Sequence, residues 1–449
     1  MTVHVKRATL ALVMAQVAFV LGACGGSSYT ASPSLTTPPA ASPEPAPAPS
    51  PAPSPSPAPA PGPSPVPAPA PGPPAPAPAT SACDTATGRL LEVGPGNTYA
   101  VPSAAAAVAQ PGDVVKIASG DYHGDVAVWG ASNLTICGVG TTRPRIFADG
   151  KSAQGKAIWV TRGSNTTVEN IEFHDASVPD QNGAGIRIEG DGEQVIRRCG
   201  FFDNEDGILT NDRANITIDQ SEFARNGFGD GQSHNIYVGH ANRLTVTASW
   251  FHEAKIGHNL KSRAKETRIE NSYFMDGPAG TSSYLADFPE GGIVYLRGNL
   301  LQKGPNADNS TAIAYGAEGI TWATNTFEMV HNTVVITRSG GAFLSAPSNT
   351  QSVKLTANLF AGTNGPGLIV GGFPSASVAQ HDNLITTASN FTGVDSVAAP
   401  NFWPNVSLQA QAVVGDVPDA TYTRDAPHPF ITRSIGAGPR RVGALQSPP

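Results

Sequence analysis

A short pattern of apolar and polar positions recurs between residues 130 and 370. The copies have an apolar residue first, in most cases a small or polar residue fourth, and a large apolar residue sixth, as in "IRRCGF", "IENSYF" and "LTANLF". The fourth positions of the copies are Ile171, Cys199, Ser221, Ser249, Ser272, Asn299, Asn332 and Asn358. The copies lie about 27 residues apart and are separated by segments rich in Gly, Asn and Asp. This pattern predicts short strands joined by turns, repeated along the chain.

A second alternating segment occurs once in each repeat, as in "GIRIEG", "NIYVGH" and "NLKSRA". Its apolar members form one column that we expect to face inward: Ile186, Ile208, Ile236, Leu260 and Ile313. No segment of the repeat region shows sustained helical periodicity. One repeat cannot bury its own apolar face, whereas stacked repeats share a continuous core. We therefore predict an all-β fold, a parallel β-solenoid whose equivalent positions form ladders spaced about 4.8 Å apart.

The start of this region resembles a known superfamily. The segment "VGPGNTYAVPSAAAAVAQPGDVVKIASGDYHGDVAVWGASNLTICGVG" resembles the opening of right-handed parallel β-helix proteins of the pectate-lyase-like superfamily. The resemblance covers about residues 92–385 and implies a single-stranded right-handed parallel β-helix. It also implies that a short helix, "SAAAAVAQ", caps the N-terminal end and that "GDVVKIASGDY" forms the first coil. Lyases, hydrolases, epimerases and binding spikes share this fold, so the resemblance does not define a reaction.

The N-terminus has the composition of an export signal. Lys6 and Arg7 precede an apolar run that ends in small residues, so we interpret residues 1–23 as a signal peptide. The sequence Leu21-Gly22-Ala23-Cys24 resembles a bacterial lipobox, which implies that Cys24 is lipidated and anchors the protein in the cell envelope. Gly25 after this cysteine favours the outer membrane in the sorting rule of that class.

The remaining segments differ sharply in composition. Residues 24–82 are mostly Pro, Ala, Ser and Gly, which predicts a polyproline II-like spacer without a core. We expect the β-helix domain to occupy residues 83–385 and residues 386–449 to cover its C-terminal end and shield the edge strands. The net charge of −7 argues against general nucleic-acid affinity. We expect a monomer.

Three cysteines remain once Cys24 is assigned to lipidation. Cys83 and Cys137 are candidates for a disulfide at the start of the domain. Cys199 lies in the apolar repeat, so we expect it to be a buried thiol. No CxxC motif or His/Cys spacing indicates zinc.

Alternation along the second segment predicts two columns on the outside of the solenoid. The first column contains Arg187, Leu209, Tyr237, Lys261 and Leu285. The second, two residues later, contains Glu189, Asn211, Gly239, Arg263 and Asp287. Lys261 and Arg263 would then point the same way, about 7 Å apart on one strand. We expect this pair to form the floor of a binding groove.

Histidines concentrate next to this pair. His234 and His258 occupy equivalent positions before the inward column, so we expect them to stack on neighbouring coils. Stacked side chains at a turn either take part in chemistry or satisfy backbone groups. Both interpretations stay open for His234, His258 and the residues that follow them, Asn235 and Asn259, which we expect to face the groove.

Loops from later coils add acidic and aromatic candidates. The segment "GTSSYLADFPEGG" offers Tyr284, Asp287 and Glu290 for substrate binding. The segment "DNSTAIAYGAEG" contains Glu318 and also Tyr315, which the alternation places inward. Calcium binding is an open alternative for the turn "DNEDG", although a turn-holding role is favoured for its acidic residues, Asp203, Glu205 and Asp206.

These candidates suit β-elimination of an acidic polysaccharide. Elimination needs a cation for the uronate carboxylate, a base for the C5 proton and an acid for the leaving O4. Neighbouring positive charge from Arg263 favours Lys261 as the base, and Tyr237 or a histidine suits the proton donor. "LKSRAKETRIENSYF" resembles the catalytic-lysine strand of β-helix alginate lyases and chondroitinase B, which implies that Lys261 is the base. Those enzymes have Arg-His-Gly one coil later, where this chain has "SSYLADFPEGG", so Arg263 would have to supply the second cation.

Three alternatives remain from the sequence. A glycoside hydrolase needs two carboxylates at a defined separation, which only Asp287 and Glu290 approximate. An epimerase would abstract the same proton and return it. A non-catalytic adhesive solenoid would use the same side chains to bind an anionic glycan.

Overall fold

Parallel strands dominate the part of the chain that the structure describes. This computed structural model describes residues 80–406, 420–423, 431–434 and 441–446. The predicted signal peptide, Cys24 and nearly all of the Pro-rich segment lie outside the described residues. Within the described part, three parallel sheets, A, B and C, run side by side, and the chain adds one strand to each sheet in nearly every coil. No helix in these ranges is long and apolar enough to cross a membrane.

The three sheets are defined by their strands. Sheet A contains Leu90–Val93, Val114–Ala118, Thr135–Val139, Thr166–Glu169, Glu193–Arg197, Asn215–Asp219, Arg243–Thr247, Glu266–Glu270, Ile293–Arg297, Thr326–Val330, Ser352–Thr356 and Ala379–His381. Sheet B contains Asp121–His123, Arg145–Phe147, Glu172–His174, Gly200–Phe202, Glu222–Ala224, Trp250–His252, Tyr273–Met275, Leu300–Lys303, Thr333–Ser339, Leu359–Thr363 and Leu384–Thr387. Sheet C contains Ala127–Trp129, Ala157–Thr161, Ala184–Ile188, Asp206–Thr210, Ile236–Val238, Leu260–Ser262, Ala286–Phe288, Ile313–Tyr315, Ala342–Ser345 and Gly367–Val370.

Helical elements within the described residues are short. The α-helices are Ala82–Thr85 and Pro102–Ala106, and the 3₁₀ helices are Ser375–Ser377 and Ala388–Asn390. Pro102 suits the first turn of its helix because the missing N–H has no helical partner there. This helix contacts the first strands of sheets A and C, as expected for the N-terminal cap. Strands Ala420–Thr423 and Ile431–Ser434 form a separate antiparallel pair.

The sixth position of the repeat forms an aromatic stack in the core. Phe173, Phe201, Phe223, Phe251 and Phe274 are buried, and their successive ring centroids lie 4.6–5.2 Å apart. The inward column of sheet C is confirmed: Ile186 pairs with Ile208, Ile208 pairs with Ile236, and all three are fully buried. Stacking of successive coils therefore produces the continuous core that the sequence predicts.

The fourth position of the repeat forms a hydrogen-bonded ladder where sheet A turns into sheet B. From Cys199 onwards, each backbone N–H donates to the side-chain oxygen one coil later, from Cys199 to Ser221 and from Ser272 to Asn299, for example. Asn299, Asn332 and Asn358 continue the ladder. These side chains pair backbone N–H groups that would otherwise be buried without partners at the corner.

Cysteines stabilise the start of the domain. Cys83 and Cys137 form a disulfide with their Cα atoms 6.1 Å apart. It joins helix Ala82–Thr85 to sheet A. Cys199 is a buried free thiol, as expected.

The described part of the C-terminal segment packs along a flank of the solenoid. Phe391, Val394 and Phe402 contact the outer face of sheet B in one apolar cluster with residues such as Trp250 and Leu359. Ala444 also joins this cluster. Coverage of the C-terminal end of the solenoid stays a prediction, because residues 407–419, 424–430, 435–440 and 447–449 lie outside the described residues.

Candidate functional site

The outer face of sheet C brings the candidate polar side chains together. Tyr237 pairs in register with Lys261, and Lys261 pairs with Asp287. The expected position of Leu285 on this ladder is wrong, since Leu285 is fully buried. The coil between Lys261 and Asp287 is two residues longer than the preceding coil, so the outward position moves from Leu285 to Asp287.

Arg263 is held by three side chains. Its Nε donates to Tyr237 Oη at 2.9 Å, Nη1 donates to Glu290 Oε1 at 2.5 Å and Nη2 donates to Glu318 Oε2 at 2.6 Å. The indole Nε1 of Trp322 donates to the Arg263 carbonyl at 3.2 Å. The guanidinium is therefore fixed in direction as well as in position.

Lys261 lies beside Arg263 and shares one of its partners. Its Nζ donates to Glu318 Oε1 at 2.8 Å and lies 3.9 Å from Asp287 Oδ2. It also lies 5.7 Å from the centroid of the Tyr237 ring. Lys261 and Arg263 thus bind the two oxygens of the same Glu318 carboxylate.

Asp287 is buried beneath Lys261. Its Oδ2 lies 3.3 Å from His258 Nε2, while Oδ1 is buried without a hydrogen bond. Burial raises the pKa of Asp287 to about 7, although the charge of Lys261 opposes this increase. A carboxyl with this pKa exchanges its proton near neutral pH.

Glu290 and Glu318 carry the negative charge of the site. Burial alone would raise the pKa of Glu290, but hydrogen bonds from Thr321, Arg263 and His240 lower it below its ordinary value. Burial also opposes ionisation of Glu318, yet its bonds to Lys261 and Arg263 lower its pKa. Glu318 has the more accessible side chain, 45% exposed compared with 13% for Glu290.

His234 and His258 stack as expected, with ring centroids 4.7 Å apart. His234 Nδ1 accepts the His258 backbone N–H at 2.9 Å, and His258 Nδ1 accepts the Tyr284 N–H at 3.2 Å. Burial and the charge of Lys261 lower the pKa of His258 to about 3. His234 is buried at the turn and its ring lies 5.6 Å from the Tyr237 ring, while His258 contacts the groove through Asp287. The half-buried Tyr284 ring lies 5.2 Å from the His258 ring.

The expectation that Asn235 and Asn259 face the groove is wrong. Both are fully buried, and Asn235 Nδ2 donates to Asn259 Oδ1 at 2.7 Å. Asn259 continues this interior chain towards Asp276, which is ion-paired with the fully buried Lys303 at 3.4 Å. Both asparagines precede their strands, where the backbone is still turning and strand alternation does not apply. Their amides instead pair buried polar groups at the corner.

The acidic turn that was considered for calcium forms protein contacts. Asp203 is ion-paired with Arg225, and Glu205 accepts the backbone N–H groups of Val178 and Gly183. Asp206 accepts the His234 N–H at 2.8 Å. In the described ranges, no group of three or more His, Cys, Asp or Glu side chains is arranged to hold a metal ion.

The sequence places His240 in the histidine cluster and Glu318 in a nearby loop without assigning either a specific contact, and it does not indicate Trp322. His240 Nε2 lies 2.9 Å from Glu290 Oε2, while Glu318 contacts a lysine 57 residues earlier in the chain. Both contacts depend on how loops fold across coils, which the repeat pattern does not specify. Buried Lys303 had no signal, because a lysine at the end of a short strand is usually exposed.

Comparisons with known proteins agree with the architecture. Residues 130–274 match a family model described as a right-handed beta helix region. The crystal structure of pectate lyase Pel9A is similar, with a TM-score of 0.53, 14% identity, and coverage of 81% of this chain and 98% of that one. Geobacillus virus E2 ORF18 gives a TM-score of 0.35 and 14% identity, covering 61% of this chain and 52% of that one. No curated protein sequence matches the chain. The protein therefore has a right-handed parallel β-helix fold, similar to that of pectate lyase Pel9A.

Proposed function

We propose that the protein binds a uronate-containing polysaccharide on the outer face of sheet C and cleaves it by β-elimination. The observation that carries this proposal is the bridge from Lys261 and Arg263 to the two oxygens of Glu318. A uronate carries the same carboxylate group, so these cations form a preorganised site for it. The likeness in fold to a protein named pectate lyase supports a polymer of this class.

Glu318 occupies this carboxylate position in the free protein. Its side chain is 45% exposed, whereas those of Lys261 and Arg263 are only 13% and 15% exposed. A substrate carboxylate therefore competes with Glu318 for the same donors. Glu290 and Tyr237 continue to hold Arg263 after Glu318 leaves.

The remaining groups complete an elimination. Lys261, as the base, takes the C5 proton in its neutral form, and its Nζ lies 3.9 Å from Asp287 Oδ2. The electrons of the C5–H bond form the C4–C5 double bond, and the C4–O4 bond breaks. Tyr237 Oη accepts a hydrogen bond from Arg263, so its own hydrogen is available to protonate O4. Tyr237 and Lys261 lie on adjacent strands, which puts both within reach of one sugar residue.

Hydrolysis is the second candidate, because one observation favours it. Asp287 has a raised pKa and Glu318 a lowered pKa, and both lie within 4.0 Å of Lys261 Nζ. Carboxyl groups with separated pKa values are the requirement for acid and base roles in glycoside hydrolysis. The side chain of Asp287 is only 4% exposed, which opposes direct contact with a glycosidic oxygen.

A panel of uronate polymers distinguishes these functions. The purified domain is incubated with each polymer, and ultraviolet absorbance of unsaturated uronate and new reducing ends are measured together. Elimination produces both signals, whereas hydrolysis produces reducing ends without the absorbance. Binding without either signal indicates an adhesive role, and conversion of the uronate configuration without cleavage indicates an epimerase. Absence of binding to every uronate polymer would refute the proposal.

We also propose that the chain is exported and anchored through a lipid on Cys24, which positions the domain at the cell envelope. Metabolic labelling with a fatty acid tests this assignment. The full-length protein is expected to carry the label and to fractionate with membranes. C24A is expected to lose both properties, and a labelled C24A would refute the assignment.

A further inference from the structure

Arg187 lies on the same outward ladder as Lys261. In register, Arg187 pairs with Leu209, Leu209 pairs with Tyr237 and Tyr237 pairs with Lys261. Three strand spacings separate Arg187 from Lys261, which is about 14 Å along the solenoid. Arg187 is therefore a further cation on the outer face of sheet C, at a distance from the Lys261 site.

The environment of Arg187 differs from that of the other cations on this face. Lys156 and Arg162 are ion-paired with Glu189, and Lys261 and Arg263 are ion-paired with Glu318. Arg187 makes no hydrogen bond or ion pair with any residue in the described part of the chain, and its Nε is buried without a partner. An unpaired buried donor is costly, and an anionic ligand would satisfy it.

Neighbouring side chains position Arg187 but do not neutralise it. Its register neighbours Val160 and Leu209 belong to an outward apolar cluster against which Tyr237 also packs. The buried carboxyl of Asp206 accepts the His234 N–H through Oδ1. Burial holds the pKa of Asp206 well above its ordinary value, and Arg187 opposes this only in part. Asp206 is therefore a poor counter-ion for Arg187.

We propose that Arg187 binds the carboxylate of a second uronate residue in the polymer that occupies the Lys261 site. This inference rests on the proposed function. The polymer then lies along the solenoid axis, with Leu209 and Tyr237 as the floor between its two anchored carboxylates. Guanidinium groups suit this role because they bind both oxygens of a carboxylate. Long substrates gain this contact, and the shortest cleavable oligouronate does not.

Steady-state kinetics on substrates of different length test the proposal. R187Q is compared with wild type on the polymer and on the shortest oligouronate that wild type cleaves. K354Q is the control, because Lys354 is an exposed outward cation on sheet A and its replacement changes the net charge equally. R187Q is expected to raise KM for the polymer about tenfold, leaving kcat and both constants for the short substrate unchanged. K354Q is expected to match wild type.

Two results would overturn the role of Arg187. One is a polymer KM for R187Q within about twofold of wild type, and the other is an equal loss on short and long substrates. R187M, whose apolar stem fits between Val160 and Leu209, replaces R187Q if the melting temperature shows that R187Q is unfolded. Failure of wild type itself to bind or cleave any uronate would refute the proposed function, and the inference with it, before any variant is tested.

Discussion

Glu318 offers the sharpest perturbation of the site, because it competes with the proposed substrate group. E318Q removes the negative charge that bridges Lys261 and Arg263 but keeps the size of the side chain. If a uronate carboxylate takes this position, the variant should bind substrate more tightly. If Glu318 is instead a catalytic carboxylate, the same variant should lose turnover.

The expected magnitude follows from the exposure of Glu318. With a side chain 45% exposed, its ion pairs resemble surface pairs, which are worth about 1 kcal/mol or less. Removing this competition should lower KM for a uronate polymer about fivefold, since 1.4 kcal/mol corresponds to about tenfold. The free energy of unfolding should change by less than about 1 kcal/mol.

Two measurements decide the outcome. Calorimetry gives the Kd for an oligouronate, and initial rates on the polymer give kcat and KM. E328Q is the matched control, because Glu328 lies on the outer face of sheet A, away from the site. A higher KM in E318Q, or a kcat reduced by more than about a hundredfold, would refute the competition and favour hydrolysis.

Two further substitutions test the buried charges. Burial raises the pKa of Asp287 to about 7, so the folded protein keeps this proton where the unfolded chain, with a pKa of about 4, loses it. The contribution of Asp287 to the free energy of unfolding therefore falls by at most about 4 kcal/mol as pH rises from about 4 to about 7. Urea unfolding of D287N should lack this decrease. If the free energy of unfolding depends on pH in the same way in wild type and D287N, the raised pKa of Asp287 is contradicted. K303M leaves fully buried Asp276 without its cation, which should lower the free energy of unfolding in urea by about 3–5 kcal/mol. The control K354M should change it little. A decrease below about 1 kcal/mol in K303M would mean that the pair does not stabilise the fold.

The fold could be predicted because its determinants repeat. Eight copies of one pattern specify which positions face the core, and the column of Ile186, Ile208 and Ile236 is buried as predicted. The fourth position holds Ile, Cys, Ser or Asn, and from Ser221 onwards its side-chain oxygen accepts the backbone N–H of the preceding coil. Local alternation and long-range stacking therefore require the same arrangement of residues.

The site was only partly predictable, because its geometry depends on turns. Alternation correctly directed Tyr237 and Lys261 outward, but a coil longer by two residues exchanged Leu285 for Asp287. Asn235 and Asn259 precede their strands and point into the core. The contacts of Glu318 require a loop from a later coil to fold back over the groove, which spacing in sequence does not encode.

The most direct test of the central claim is kcat/KM of K261A on a uronate polymer that wild type cleaves, measured by the absorbance of the unsaturated product. Removal of a general base typically costs about a hundredfold to ten-thousandfold, so K261A should lose at least about a hundredfold. R263A should show a comparable loss, and K354A should match wild type. A K261A protein that retains activity within about tenfold of wild type would contradict the assignment of this site.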